Sequence, residues 1–283
     1  MQYLICLFCF LFTTASYGQN RLDEKLSSAD SAITCQTFSN NAEDKIIDVA
    51  NLPNPIDQSW FEASIDYLYN TIGLRAYNLS YEAFRYGMIG YYTLQRQGRL
   101  SKKNLLSIID FTKPSSKKRL YVIDLEQVSL KYYTYVSHGK NTGEDRAEKF
   151  SNAIHSNQSS LGFYLTAETY TGSKGYSLKL DGLEKGYNDN LRDRAVVIHE
   201  APYVSEDWIK QNGRLGRSQG CPALPVEISK EIIDTIKDYT PIFAYYKDAT
   251  YLRTSEYLRL THLLNLLNTS AKLVNTSALH ASR

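Results

Sequence analysis

The stretch from Ile198 to Leu224 reads IHEAPYVSEDWIKQNGRLGRSQGCPAL, and the rest of the chain is organised around it. The apolar run Ala195 to Ile198 delivers His199 at its end, and a Gly- and Arg-rich loop then leads to Cys221. A thiol becomes a strong nucleophile when an imidazole takes its proton or stabilises the thiolate, which typically depresses the thiol pKa. Two such groups on loops held by rigid strands can meet in space while far apart in sequence. Gly220 has no Cβ and lets backbone approach a substrate closely, and the Cys221 N–H is placed to help bind an oxyanion. The plain alternatives are a buried structural cysteine and a core histidine with satisfied nitrogens.

The reading spreads outward from there. An apolar segment from Ala195 to His199 is a buried strand, Val226 to Lys237 is an amphipathic helix with Ile228, Ile232 and Ile236 in line, and Pro241 to Tyr246 is a final strand. Upstream, 120–125, 128–137, 162–170 and 176–180 are rich in β-branched and aromatic residues and read as strands. Ser59 and Glu62 form a capping-box pattern that opens a helix to Ile72, closed by Gly73. Ser80 caps a second helix to Gln97, with Phe84 and Met88 at helical spacing, and a single C-terminal helix spans Tyr251 to Leu267. Many short strands with few helices imply a mainly β fold with helical additions, a curved sheet or sandwich preceded by an N-terminal helical segment.

The chain has 283 residues, 43% hydrophobic and 12% aromatic, enough for a packed core, and its net charge of +2 is too small to argue for nucleic acid. Lys102–Lys103 and Lys117–Arg119 read as solvated loop faces. Residues 1–18 read as a signal peptide: Leu4 to Phe12 is apolar and far shorter than the ~20 residues a spanning helix needs, and Ser16 and Gly18 fit the small-residue cleavage rule. The expected product is exported to the periplasm or cell envelope, with no membrane span after cleavage. Of four cysteines, Cys35 and Cys221 remain, which is not a disulfide framework. Residues 19–54 read as a polar linker with a short helix at Glu43 to Ala50, 55–100 as a helical segment packing on the catalytic domain, 101–247 as the catalytic domain, and 248–283 as a C-terminal helix and polar tail. One Cys and one His do not make a metal site, and no HExxH or CxxC pair is present, so no metal or cofactor is expected.

The Ser218-Gln219-Gly220-Cys221 segment after His199 resembles the active-site signature of the L,D-transpeptidase (YkuD-type) family. Further segments resemble one branch of it: IIDFTKPSSKKRLYVIDL from Ile108, VSHGKNTG from Val136, SSLGFY from Ser159 and GCPAL from Gly220, a likeness running over 79–246. The resemblance implies a YkuD-like β-sandwich with the catalytic loop over one sheet. It implies a cysteine enzyme acting on peptidoglycan stem peptides, with Cys221 as nucleophile, His199 as base, and Ser218 and Gly220 shaping the oxyanion site. Members of the family orient the histidine through a backbone carbonyl. Here that carbonyl or Ser218 is favoured over the Glu200 carboxylate, because successive strand side chains face opposite ways. Arg214, Arg217, His138 and Asn141 are candidate substrate-binding residues; a guanidinium binds a carboxylate in a bidentate way, and solvated loop arginines are the alternative. Many members carry an arginine two residues after the cysteine, where this chain has Ala223. Transpeptidation, hydrolysis as an L,D-carboxypeptidase or amidase, and a non-catalytic wall-binding module are the functional readings.

Overall fold

Asp57 caps helix α1 (Gln58–Ile72) by accepting the Trp60 N–H, and Gly73 ends it with φ 73°. This computed structural model describes residues 56–269; the expected signal peptide, the linker with its short helix, and the polar tail beyond 269 lie outside them. The cap is therefore Asp57 rather than Ser59. Phe61, Ile65, Leu68, Tyr69 and Ile72 form the buried stripe of α1. Ser80 caps α2 (Tyr81–Arg96), as its position in the sequence implies. Glu62 and Arg85 tie the two helices together at 2.5 Å.

The strands are β1 (Leu105–Asp110), β2 (Leu120–Asp124), β3 (Ser129–Thr134), β4 (Gly162–Gly172), β5 (Gly175–Gly182), β6 (Val197–Glu200), β7 (Ala223–Leu224) and β8 (Pro241–Tyr245). They form one curled, mixed eight-stranded sheet in the order β3-β2-β1-β8-β4-β5-β6-β7. β1 runs parallel to β8 and β6 parallel to β7, and the other neighbours are antiparallel. The remaining helices are α3 (Glu206–Asn212), α4 (Val226–Ile236), α5 (Ala249–Thr254) and α6 (260–269). The chain thus adopts the expected mainly β fold with helical additions.

One apolar core includes buried residues of α1, α2, the sheet, α4 and the C-terminal segment. All six residues of β1 are buried, Ser107 and Asp110 among them, because the strand is central and covered on both faces. α2 lies over β1 and β8. Gly90 makes that approach possible. A Cβ built there would stand 2.0 Å from the Phe163 ring, which is stacked on Phe243 at 4.4 Å between centroids.

Two expectations need correction. Arg119 does not lie on a solvated face. It is fully buried at the start of β2, where its guanidinium donates to the carbonyls of Val136 and Lys113. The C-terminal helix is not continuous. It is interrupted at Ser255, whose hydroxyl turns inward to the buried Glu184 carboxylate. Glu184 also accepts the Tyr251 hydroxyl at 2.8 Å and the Phe163 N–H at 2.8 Å. Burial pushes its pKa up while these donors hold it down.

Gly90→Ala gives a direct test of the helix–sheet contact. The substitution should gain about 1 kcal/mol of helix propensity but lose roughly 1–3 kcal/mol to overpacking against a ring pinned by Phe243. The expected net result in urea or thermal unfolding is a less stable protein; a more stable one would show that the Phe163 ring yields freely.

Candidate active site

β6 and β7 share a two-residue parallel ladder, with His199 opposite Ala223 and Glu200 opposite Leu224. Two residues earlier, Cys221 lies alongside Val197, whose N–H points at Sγ from 3.5 Å. The thiol faces the Ala195 carbonyl at 3.9 Å. His199 is buried, and its Nδ1 stands 2.7 Å from the backbone carbonyl of Glu200. A carbonyl can only accept, so Nδ1 carries the proton and Nε2 presents a lone pair. Of the orienting groups considered from sequence, the backbone carbonyl holds the ring.

Ser218 has a different partner set. Its Oγ accepts the Gly220 N–H at 3.0 Å and donates to the Cys221 carbonyl at 2.6 Å, closing the turn that presents the cysteine. The Gly220 N–H is therefore engaged, whereas among the described residues no other residue takes the Cys221 N–H. Gly220 adopts φ 127°, a conformation that L side chains rarely adopt, and a Cβ there would stand 2.9 Å from the Gln158 carbonyl oxygen. Ser159 bridges the same region, accepting the Gly139 N–H and donating to the Gly220 carbonyl.

The electrostatics favour two neutral groups at rest. Burial pushes the Cys221 thiol up, against the Val197 N–H and the charges of Arg194 and Lys174, which pull it down. Burial lowers the His199 pKa; the Glu200 carbonyl opposes that shift and Lys174 adds to it. The depressed thiol pKa expected from an imidazole pair is absent in this resting arrangement. The physical reason is that desolvation of sulfur outweighs the favourable charges, and both sulfur contacts go to backbone rather than to the imidazole.

The other candidates separate. Arg217 donates to the Lys140 and Gly143 carbonyls and pairs with Glu144 at 2.6 Å; Arg214 pairs with the same carboxylate at 3.0 Å. Asn141 donates to the Ser156 carbonyl and staples neighbouring loops. His138 is fully buried, with the Arg119 guanidinium donating to Nδ1 at 2.7 Å and Nε2–H donating to the Gly143 carbonyl at 3.2 Å. Together these four residues order the 138–144 loop, which meets the Cys221 turn through the Gly139–Ser218 bridge. Sequence reasoning did not single out Arg194 and Lys174, the cations that act on Cys221. A charged residue immediately ahead of an apolar strand was the only local signal for Arg194. Among the described residues, no cluster of three or more His, Cys, Asp or Glu side chains is arranged to hold a metal.

The buried His138 generates an acid dependence. Burial and the adjacent Arg119 charge lower its pKa to about 3, against an ordinary value of 6.5. The unfolded chain therefore binds this proton first, so stability is complete above about pH 6.5 and is lost as pH falls towards 3. Between pH 6.5 and 4, urea unfolding of the wild type should lose stability more steeply than that of His138→Gln. Parallel slopes would mean the imidazole is solvated.

A family profile describing the L,D-transpeptidase catalytic domain matches residues 75–245. A search of curated proteins gives no match. Among solved structures, the chain is similar to an L,D-transpeptidase from Mycobacterium smegmatis at 13% identity and a TM-score of 0.32, covering 50% of this chain and 59% of that one. It is similar to L,D-transpeptidase 3 from Mycobacterium tuberculosis at 10% identity and a TM-score of 0.32, covering 50% and 61%. An L,D-transpeptidase from Xylanimonas cellulosilytica gives 14% identity and a TM-score of 0.29, covering 51% and 62%. The chain thus spans about three-fifths of the length of these proteins. The profile covers more than half of the sequence, and the chain belongs to the L,D-transpeptidase catalytic-domain family.

Proposed function

We propose that this chain is an exported cysteine acyltransferase that crosslinks peptidoglycan stem peptides in the periplasm or cell envelope. The observation that carries the reading is the Gly220–Cys221 turn, whose Cys221 N–H is taken by no other described residue, together with a histidine whose Nδ1–H is fixed on the Glu200 carbonyl. The thiol leaves its contacts with Val197 and Ala195 and gives its proton to His199 Nε2 as Sγ attacks the donor carbonyl. The Cys221 N–H donates to the oxyanion. The C–N bond then breaks, the imidazolium protonates the departing terminal D-amino acid, and a thioester remains. An acceptor amine attacks it, loses its proton to His199 and releases the thiol.

A hydrolytic second reading draws on Ala223. Its side chain is fully buried, packed with Ala201, Val204 and Leu215 at the edge of the sheet. No charge can be presented to substrate from the position where many family members carry arginine. Water could then resolve the thioester, giving an L,D-carboxypeptidase.

Incubation of the protein with a stem tetrapeptide and an acceptor amine, read by mass spectrometry, tests both readings. Transfer gives a crosslinked product and hydrolysis gives a tripeptide. Cys221→Ala should abolish both, and His199→Ala should slow them by about 10²–10⁴-fold. Full turnover by Cys221→Ala would overturn the mechanism.

The pH profile is a separate check. The neutral imidazole is the competent base, and its pKa lies below the ordinary range. The acid limb of kcat/KM should therefore fall below about pH 6.5, with activity retained in mildly acidic buffer. A limb above that value would contradict a desolvated His199.

A further inference from the structure

Arg194 stands three residues before β6, and its guanidinium makes four hydrogen bonds, all to one distant segment. Nη1 donates to the Ser151 carbonyl at 2.8 Å and to the Ser160 hydroxyl at 2.6 Å. Nη2 donates to the Ser156 hydroxyl at 3.1 Å and to the Gln158 carbonyl at 2.5 Å. Every acceptor is neutral. Arg85, Arg192, Arg214 and Arg217 each pair with a carboxylate, but Arg194 has no such partner among the described residues. Its charge is half-buried and locally uncompensated, an arrangement that costs desolvation unless a negative charge forms nearby.

The place where a negative charge forms is adjacent. The Gly220 backbone lies directly on the Arg194–Gln158 pair: a Cβ at Gly220 would stand 3.3 Å from Nη2 and 2.9 Å from the Gln158 oxygen. The next residue is the nucleophile. We propose that Arg194 is a positioning residue for the Cys221 turn, clamping the 151–160 segment beneath Gly220 and supplying the fixed positive charge that favours the thiolate. The direction of the thiol's response to Arg194 agrees with this placement. In this chain, which lacks the usual arginine after the cysteine, the compensating cation lies behind the turn. Arg217, by contrast, pairs with Glu144.

The inference rests on Cys221 being the nucleophile, but its test needs no turnover of peptidoglycan, so the two can fail separately. Alkylation by iodoacetamide, mapped to the Cys221 peptide across a pH series, reads the thiolate directly. Arg194→Gln keeps hydrogen-bonding groups but removes the charge. Its alkylation midpoint should rise by about one pH unit, so that alkylation is about tenfold slower at any pH below both midpoints. Arg194→Lys keeps the charge and loses the forked clamp. It should melt at a lower temperature, with its midpoint close to wild type. A folded Arg194→Gln with an unmoved midpoint would overturn the proposal. If Arg194→Gln does not fold, Arg194→Lys decides alone: a midpoint raised by a full unit despite the retained charge would overturn it, and an unmoved midpoint supports it.

Discussion

The parallel pairing of β6 with β7 fixes where the His199 and Cys221 side chains stand. β7 has only two residues and lies at the edge of the sheet, so this ladder is too short to hold the Cys221 turn alone. The additional restraint comes from side chains and crossing segments. Ser137 bonds Ala223, Ser159 bridges Gly139 and Gly220, and Arg194 braces the 151–160 segment from below. A glycine at 220 is needed because three backbone segments converge there and the turn has a positive φ. The loop is held by many directional contacts rather than by buried apolar area, which suits a position that must keep one geometry.

The same crowding explains the electrostatics. Burial lowers the His199 pKa and raises that of the Cys221 thiol, which favours a neutral pair at rest. The buried Arg119–His138 pair a few residues away has the same character, since burial keeps the imidazole uncharged beside a guanidinium. Burial lowers the Arg119 pKa to about 9, which still leaves it charged at neutral pH. Two histidines therefore remain neutral for similar reasons. One is enclosed within the scaffold, and the other lies where the chain presents its only described free thiol.

Much of this was legible in the sequence wherever a local pattern determined the outcome. His199 at the end of an apolar run, the α4 periodicity, the Ser80 cap and the β4–β5 hairpin are local features, and the structure keeps them with boundaries moved by a residue or two. β1 was not legible. A strand buried on both faces has no alternation, and Ser107 and Asp110 break the apolar run. Arg119 and Arg194 were not legible either. The first looks like part of a basic surface cluster, and the second finds its acceptors 34 to 43 residues away in sequence. The break at Ser255 depends on a carboxylate in another part of the chain, which helical periodicity cannot reveal.

That carboxylate bears on where the chain could be cut. Glu184 sits between β5 and β6 and is satisfied from two sides, by the Phe163 amide within the sheet and by Tyr251 and Ser255 beyond it. A protein trimmed after β8 would retain every strand and both His199 and Cys221, yet would strip two hydroxyl donors from a buried acid. The remaining carboxylate would have to protonate or draw water into the core beside Phe163 and Tyr164. The smallest part of the fold that keeps this acid satisfied therefore extends through Ser255, past the point where the sheet ends.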